Sequence, residues 1–364
     1  MGQKRSDGRG EIYRALTKRG VSRRDFMKFC SATAAALGLP FGYSAKIAEA
    51  LEKAQKPVLV WLEFQDCAGD TEQLLRATKP TAAELVLDVL SVDYHETIMA
   101  PAGHQAEKSL RDVVQNQKGK YIAVVEGSIP TAEGGIYCTV AGRTALDITR
   151  EVCGNAMATI AVGTCATHGG WPAAQPNPTG AKGVKEVLPN AAVINIPGCP
   201  MNSENLTATV VHFLTFGSLP PTDGLQRPLF AFGKRIHDNC ERRSHFDAGQ
   251  FVKAWGDHGH RQGWCLYEMG CKGPETYHNC PTIRWNDGTN WPVGSGHGCI
   301  GCSEPHFWDA MTPFYRRLPK VPGFGIESTA DKVGVGLAAA TAAGLVAHGV
   351  VRAVRGKKSE ESEE

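Results

Sequence analysis

The sequence predicts an α/β protein: a parallel sheet wound with helices, then an irregular cysteine-rich region, then a C-terminal transmembrane helix. Three observations predict it. Short apolar runs alternate with helical stretches from residue 57 to 215, the pattern of a parallel sheet buried on both faces. From about Ser218, Gly, Pro, His, Trp and Cys dominate and periodic runs become rare. Val333 to Val351 is 19 residues long and carries no charge beyond a possible one on His348. About 20 such residues cross the hydrocarbon core of a bilayer.

Taken in order, Pro57–Phe64, Tyr121–Val125, Ala158–Gly163 and Ala192–Ile196 read as buried strands. Ala83–Leu90, Thr144–Cys153 and Asn205–Thr215 read as helices. The expected boundaries are a targeting region at 1–50, the sheet domain at 56–227, the cysteine-rich domain at 228–325, the membrane helix at 333–351 and a polar tail at 352–364. Irregular chain buries little apolar area unaided, so residues 228–325 need metal–ligand bonds to hold them together.

The ends carry address information. Residues 1–28 hold nine lysines and arginines, including the pair in Ser22-Arg23-Arg24-Asp25-Phe26. A modest apolar stretch, Phe29–Leu39, follows. This is the layout of a twin-arginine signal, which exports folded proteins; a basic amphipathic helix is the simpler alternative. Arg352, Arg355, Lys357 and Lys358 follow the membrane helix. A basic flank belongs on the cytoplasmic side, which leaves the main body outside. The formal charge of +2 shows no basic stripe interleaved with aromatics, so nucleic acid is set aside.

Twelve cysteines carry the chemistry. Cys67, Cys165 and Cys199 each follow a strand, and in open parallel sheets sites form at the carboxyl ends of strands. His237-x2-Cys240 with Cys265-x5-Cys271 supplies three thiols and an imidazole. Cys280-x18-Cys299-x2-Cys302 supplies three thiols, with Pro292 where a fourth ligand would fall. Sets of this kind suit iron–sulfur clusters, four-iron for the former and three-iron for the latter. Zinc is the alternative for a lone Cys3His set, and disulfides are the alternative for any exported cysteine. Cys138 and Cys153 read as buried inert thiols, and Cys30 lies inside the signal.

The ordered segments Cys67-x2-Asp70-Thr-Glu72, Glu126-Gly-Ser-Ile-Pro130, Gly163-Thr-Cys165, Asn195-Ile-Pro-Gly-Cys-Pro200, Gly263-Trp-Cys265, Gly270-Cys-Lys-Gly-Pro-Glu-Thr-Tyr277 and Gly298-Cys-Ile-Gly-Cys302 resemble the small subunit of membrane-bound uptake NiFe hydrogenases. The likeness runs from the Arg-Arg signal to the C-terminal helix. It implies a flavodoxin-like first domain and a second domain of iron–sulfur clusters. It implies a proximal cluster on Cys67, Cys165 and Cys199, a medial 3Fe–4S cluster on Cys280, Cys299 and Cys302, and a distal 4Fe–4S cluster on His237, Cys240, Cys265 and Cys271. Hydrogen would be split at a nickel–iron centre in a separate large subunit. This chain would pass the electrons to a membrane cytochrome b or another quinone-linked partner, within a higher oligomer of heterodimers.

Asp70 departs from that family, which usually has cysteine there. It is expected to complete the proximal cluster (4Fe–4S, three Cys and one Asp). The alternatives are an unbound Asp70, or Asp66 in its place. The extra proximal cysteines of oxygen-tolerant branches match Gly69 and Gly170 here. The competing function is the iron–sulfur subunit of another membrane-bound, quinone-linked oxidoreductase.

Overall fold

The computed structural model describes residues 10–360 apart from 19, 41, 79–80, 85–88 and 319–329. The start of the signal region, the middle of the helix expected at 83–90, the end of the cysteine-rich region and the last residues of the tail lie outside the described residues. Ala82–Glu84 forms one helical turn of that expected helix.

Five strands form the central sheet: β1 (Val58–Glu63), β2 (Ser91–His95), β3 (Tyr121–Glu126), β4 (Ala158–Val162) and β5 (Val193–Ile196). Their order is β2-β1-β3-β4-β5 and every neighbouring pair is parallel. That is the flavodoxin-like doubly wound order. β3, β4 and β5 are buried along their whole length, as their apolar runs require.

Both faces are covered. On one, helices α5 (His104–Asn116) and α6 (Ala145–Asn155) pack Leu110, Val113, Leu146 and Val152 against Val60, Ala123 and Val125. On the other, α8 (Ser203–Phe216) packs Leu206 and Val210 against Leu59, Trp61, Ile194 and Ile196. Local chemistry sets the ends of these helices. The Thr144 hydroxyl accepts from the Asp147 amide at 3.1 Å, and Asn202 Oδ1 accepts from the Glu204 amide at 3.0 Å. Such caps satisfy amides the helix cannot. Two elements have no clear mark in the sequence. β2 is a short, polar edge strand, and α5 buries only Leu110, Val113 and Val114.

Upstream, α1 (Glu11–Lys18), α2 (Arg23–Ala36) and α3 (Tyr43–Lys53) pack on the α8 face. They bury Ile12, Leu16, Phe26, Cys30, Ile47 and Leu51. Ser22 caps α2, and the Arg23-Arg24 pair is exposed in its first turn.

After α8 the chain is irregular, as expected. Among the described residues from 218 to 318, no helix exceeds the five residues of Arg243–Asp247. Its small core joins Ile236, Val252, Leu266, Trp291 and Val293 to Cys280 and Cys299. Buried Arg227 ties the start of this region to its end. Its Nε donates to Asp223 at 2.8 Å and its Nη1 to Glu304 at 3.0 Å. The amides of Asn205 and Asn279 bond reciprocally at 2.9 and 3.0 Å, and Asn202 Nδ2 donates to the Arg284 carbonyl at 2.7 Å.

Helix α9 spans Ala330–Glu360. Within it, the 19 residues Gly334–Arg352 are long and apolar enough to cross a membrane, and none of them is buried.

Candidate functional site

The parallel topology brings Cys67, Cys165 and Cys199 to one edge of the sheet. Cys67 lies in the loop after β1, just before α4 (Gly69–Leu75). Cys165 lies in the first turn of α7 (Gly163–His168), directly after β4. Cys199 follows β5 on Gly198. Two loops are stitched together: the Thr164 amide donates to the Gly198 carbonyl at 2.7 Å, and the Gly198 amide to the Thr164 hydroxyl at 3.0 Å. The same hydroxyl donates to the carbonyl of Cys302.

Asp70 is buried between these loops. Its Oδ1 accepts from the Met201 amide at 2.5 Å. A Cβ on Gly163 would lie 2.0 Å from Asp70 Oδ2, and Gly163 has a φ of +74°. Only glycine meets both demands. Burial, and then the Glu126 carboxylate, hold the Asp70 carboxyl far above the usual range. Cys165 is pushed up to about 12 by burial first, then by Cys199, Asp70 and Cys67, which groups the four donors. Gly69 and Gly170 both touch this set. Added Cβ atoms would lie 3.1 Å from Cys67 Sγ and 2.6 Å from Cys165 Sγ respectively.

Glu126, at the end of β3, holds the first loop. Its Oε1 accepts from the Asp70 amide at 2.9 Å. Its Oε2 accepts from the Thr71 amide at 3.0 Å, the Thr71 hydroxyl at 2.5 Å and Trp61 Nε1 at 3.1 Å. All four contacts are buried.

His237, Cys240, Cys265 and Cys271 together line one small cavity of about 20 Å³. A single 3-10 turn, Ile236–Asn239, presents His237, and Cys240 follows it. The Cys265 amide donates to the Gln250 carbonyl at 3.1 Å. Burial is the first cause that lowers His237 to about 4 and raises Cys240 to about 11 and Cys265 to about 12. A neutral imidazole is ready to bind a metal, whereas buried thiols need a metal's charge to release their protons.

Cys280, Cys299 and Cys302 line a larger cavity of about 470 Å³, which Cys199, Gln73 and Pro292 also line. The first and second sets therefore share a wall. The second and third sets touch too: the Cys299 amide donates to Cys271 Sγ at 3.3 Å. Buried Lys272 sits at that junction, and its ammonium donates to the carbonyls of Pro313 and Arg316.

All twelve cysteines are free thiols. Among the described residues, no three His, Cys, Asp or Glu side chains converge tightly enough to hold a single metal ion. Cys199 and the donors of the other two sets line cavities instead. Sequence reasoning passes over Thr164, Arg227, Lys272 and His278, and it gives Glu126 no role. Only the placement of Glu126, Thr164 and Lys272 in the ordered motifs hints at them. Cys153 is buried and Cys138 half-buried, both packed among apolar residues as expected. His168 is half-buried, and burial lowers it to about 4.

A doubly wound sheet with thiols at its carboxyl edge, bonded to a second thiol-rich region, defines the class of iron–sulfur redox subunits. Residues 232–315 match the family described as the C-terminal part of the NiFe/NiFeSe hydrogenase small subunit. Residues 67–213 match the NADH ubiquinone oxidoreductase, 20 Kd subunit family. The chain is 45% identical over 344 residues to the uptake hydrogenase small subunit of Azotobacter vinelandii, covering 94% of this chain and 96% of the relative. It is 46% identical over 344 residues to the quinone-reactive Ni/Fe-hydrogenase small chain of Wolinella succinogenes, covering 92% and 97%. The reduced, active Ni-Fe-Se hydrogenase from Desulfomicrobium baculatum superposes with a TM-score of 0.69 at 36% identity, covering 72% of this chain and 100% of that one. The chain belongs to the NiFe hydrogenase small-subunit family. It is an electron-transfer subunit, and its family carries iron–sulfur clusters.

Proposed function

We propose that this chain holds three clusters in line and carries electrons from a nickel–iron large subunit to a membrane quinone-reducing partner. The observation that carries this reading is the contiguity of the three donor sets. Cys199 shares a cavity with Cys280, Cys299 and Cys302, and Cys271 Sγ bonds to the Cys299 amide. When bound, the clusters supply one-electron redox steps. The protein's own part is to hold donors at fixed positions and exclude water.

In this reading Cys67, Asp70, Cys165 and Cys199 hold the proximal 4Fe–4S cluster. Cys280, Cys299 and Cys302 hold the medial 3Fe–4S, and His237, Cys240, Cys265 and Cys271 the distal 4Fe–4S. Cys67 and Cys199 are exposed, and so are Leu75, eight residues after Cys67, and Trp171, six after Cys165. A partner seated on that edge would cover both, as a large subunit must if it is to reach the first cluster. Membrane anchoring through α9, with the body outside and the basic end inside, accords with the exposed apolar surface of residues 334–352. The hydrogenase match at 232–315 favours this reading over another quinone-linked oxidoreductase, because the medial and distal sets lie there.

Iron and sulfide analysis of the purified complex tests it. About eleven irons for this chain are expected, from two four-iron clusters and one three-iron cluster. A colourless, iron-free chain overturns the reading. Asp70 is tested by Asp70→Cys, which swaps a hard oxygen donor for a soft sulfur. The proximal Mössbauer and EPR signatures should change while the iron content holds. Unchanged signatures would show that Asp70 does not bind iron.

A further inference from the structure

His278 is a fully enclosed histidine in the irregular region, with 2% of its surface exposed. Its Nδ1 lies 3.0 Å from Cys280 Sγ. Two aromatic rings fix that aim. Phe232 meets the imidazole edge-on at 5.0 Å, and Trp285 stacks on it at 6.3 Å with 21° between the planes. The ring also lines the cavity shared by Cys199, Cys280, Cys299 and Cys302. Its other nitrogen, Nε2, is buried and has no hydrogen-bond partner among the described residues.

The proton's position follows from this geometry. A neutral imidazole carries one N–H and one lone pair. A hydrogen on Nε2 would be stranded, whereas a hydrogen on Nδ1 meets the sulfur. A thiolate bound to iron only accepts, so it selects the same tautomer. Leaving a lone pair unused is the lesser loss, since stranded buried N–H groups are the rarer kind in folded proteins.

We propose that His278 is a positioning and tuning residue of the medial site, donating Nδ1–H to the sulfur of Cys280. The proposal rests on the reading of Cys280 as a medial cluster ligand. Donors to cluster sulfurs stabilise the more negative, reduced form, and such hydrogen bonds help set cluster potentials. Removing the donor therefore makes the medial site harder to reduce. The substitution His278→Asn is a rescue rather than a neutral comparison, because its amide nitrogen can occupy nearly the place of Nδ1.

The test uses the intact, anaerobically purified complex and the EPR signal of the oxidised three-iron cluster. His278→Leu should keep the iron content and the signal. It should lower the reduction equilibrium constant about tenfold, or about 59 mV for one electron. His278→Asn should recover most of that shift. In the wild-type complex labelled with 15N-histidine, the three-iron signal should show a weak nitrogen coupling that His278→Leu lacks. An intact signal with an unchanged potential in His278→Leu overturns the proposal. If His278→Leu loses the cluster, the wild-type nitrogen coupling decides: its presence upholds the bond and its absence overturns it. A three-iron signal that survives Cys280→Ala overturns the ligand reading itself, a result distinct from any of these.

Discussion

Glu126→Leu should strip the proximal site of iron and leave the other two sets loaded. The substitution is close in size but removes both acceptors at the end of β3. Two backbone amides, those of Asp70 and Thr71, lose their partner, as does the Trp61 indole, while the Thr71 hydroxyl keeps Glu63 Oε1 at 2.9 Å. All are buried, so water cannot replace the carboxylate. A stranded buried polar group costs about 1–3 kcal/mol. Three together exceed what one loop can absorb, and the loop that carries Cys67 and Asp70 should unfold locally. Iron should fall by about four per chain, with the EPR signal of the three-iron cluster unchanged. Glu126→Gln should do less, because one oxygen still accepts while the new NH2 faces donors. Retention of full iron by Glu126→Leu would show that the first loop is held by its metal rather than by Glu126.

Arg227→Met should destabilise the whole chain by about 3–5 kcal/mol, the usual result of removing one partner from a buried ion pair. The guanidinium is 5% exposed and bonds to Asp223 and Glu304, and it also sits over the rings of Phe232 and Tyr277. Methionine keeps the packing and removes the charge. Burial already raises the Glu304 carboxyl, and Arg227 is the first influence pulling it down. Without Arg227 it rises further above its unfolded value of about 4.3. The unfolded state then binds fewer protons than the folded one, so stability falls as pH rises through that window. The deficit should be smaller near pH 5 than near pH 7, as read from the apparent unfolding midpoint. Adding Glu304→Gln to Arg227→Met should recover part of the loss and flatten the pH dependence. Independent, additive effects of the two changes would show that the pair is not coupled.

The two changes probe different levels of what a sequence displays. β1, β3, β4 and β5 are legible because each is an apolar run buried on both sides, while β2 is short, polar and at the edge. The ligand loops are legible because thiols directly after strands have few structural reasons to be there, and parallel strands send their carboxyl ends the same way. Glu126 and Arg227 carry no such mark. Glu126 meets Thr71 from 55 residues away, and Thr164 meets Cys302 across 138. A buried carboxylate and a surface one read alike until folding brings the donors. His278 is hidden for the same reason, since only its ring neighbours show that its nitrogen is aimed. The packing of α1–α3 on the α8 face is also not visible, because the segment's composition reads first as an address.

The Thr164 hydroxyl has a further consequence. It accepts from the amide before Cys199 and donates to the carbonyl of Cys302. The loops of the first and second donor sets are thus bridged through one oxygen atom and two hydrogen bonds. Electron exchange between neighbouring centres slows steeply as they separate. If those sets hold clusters as proposed, the bridge fixes the spacing between them while adding no charge, and a side chain without the hydroxyl would let that spacing drift.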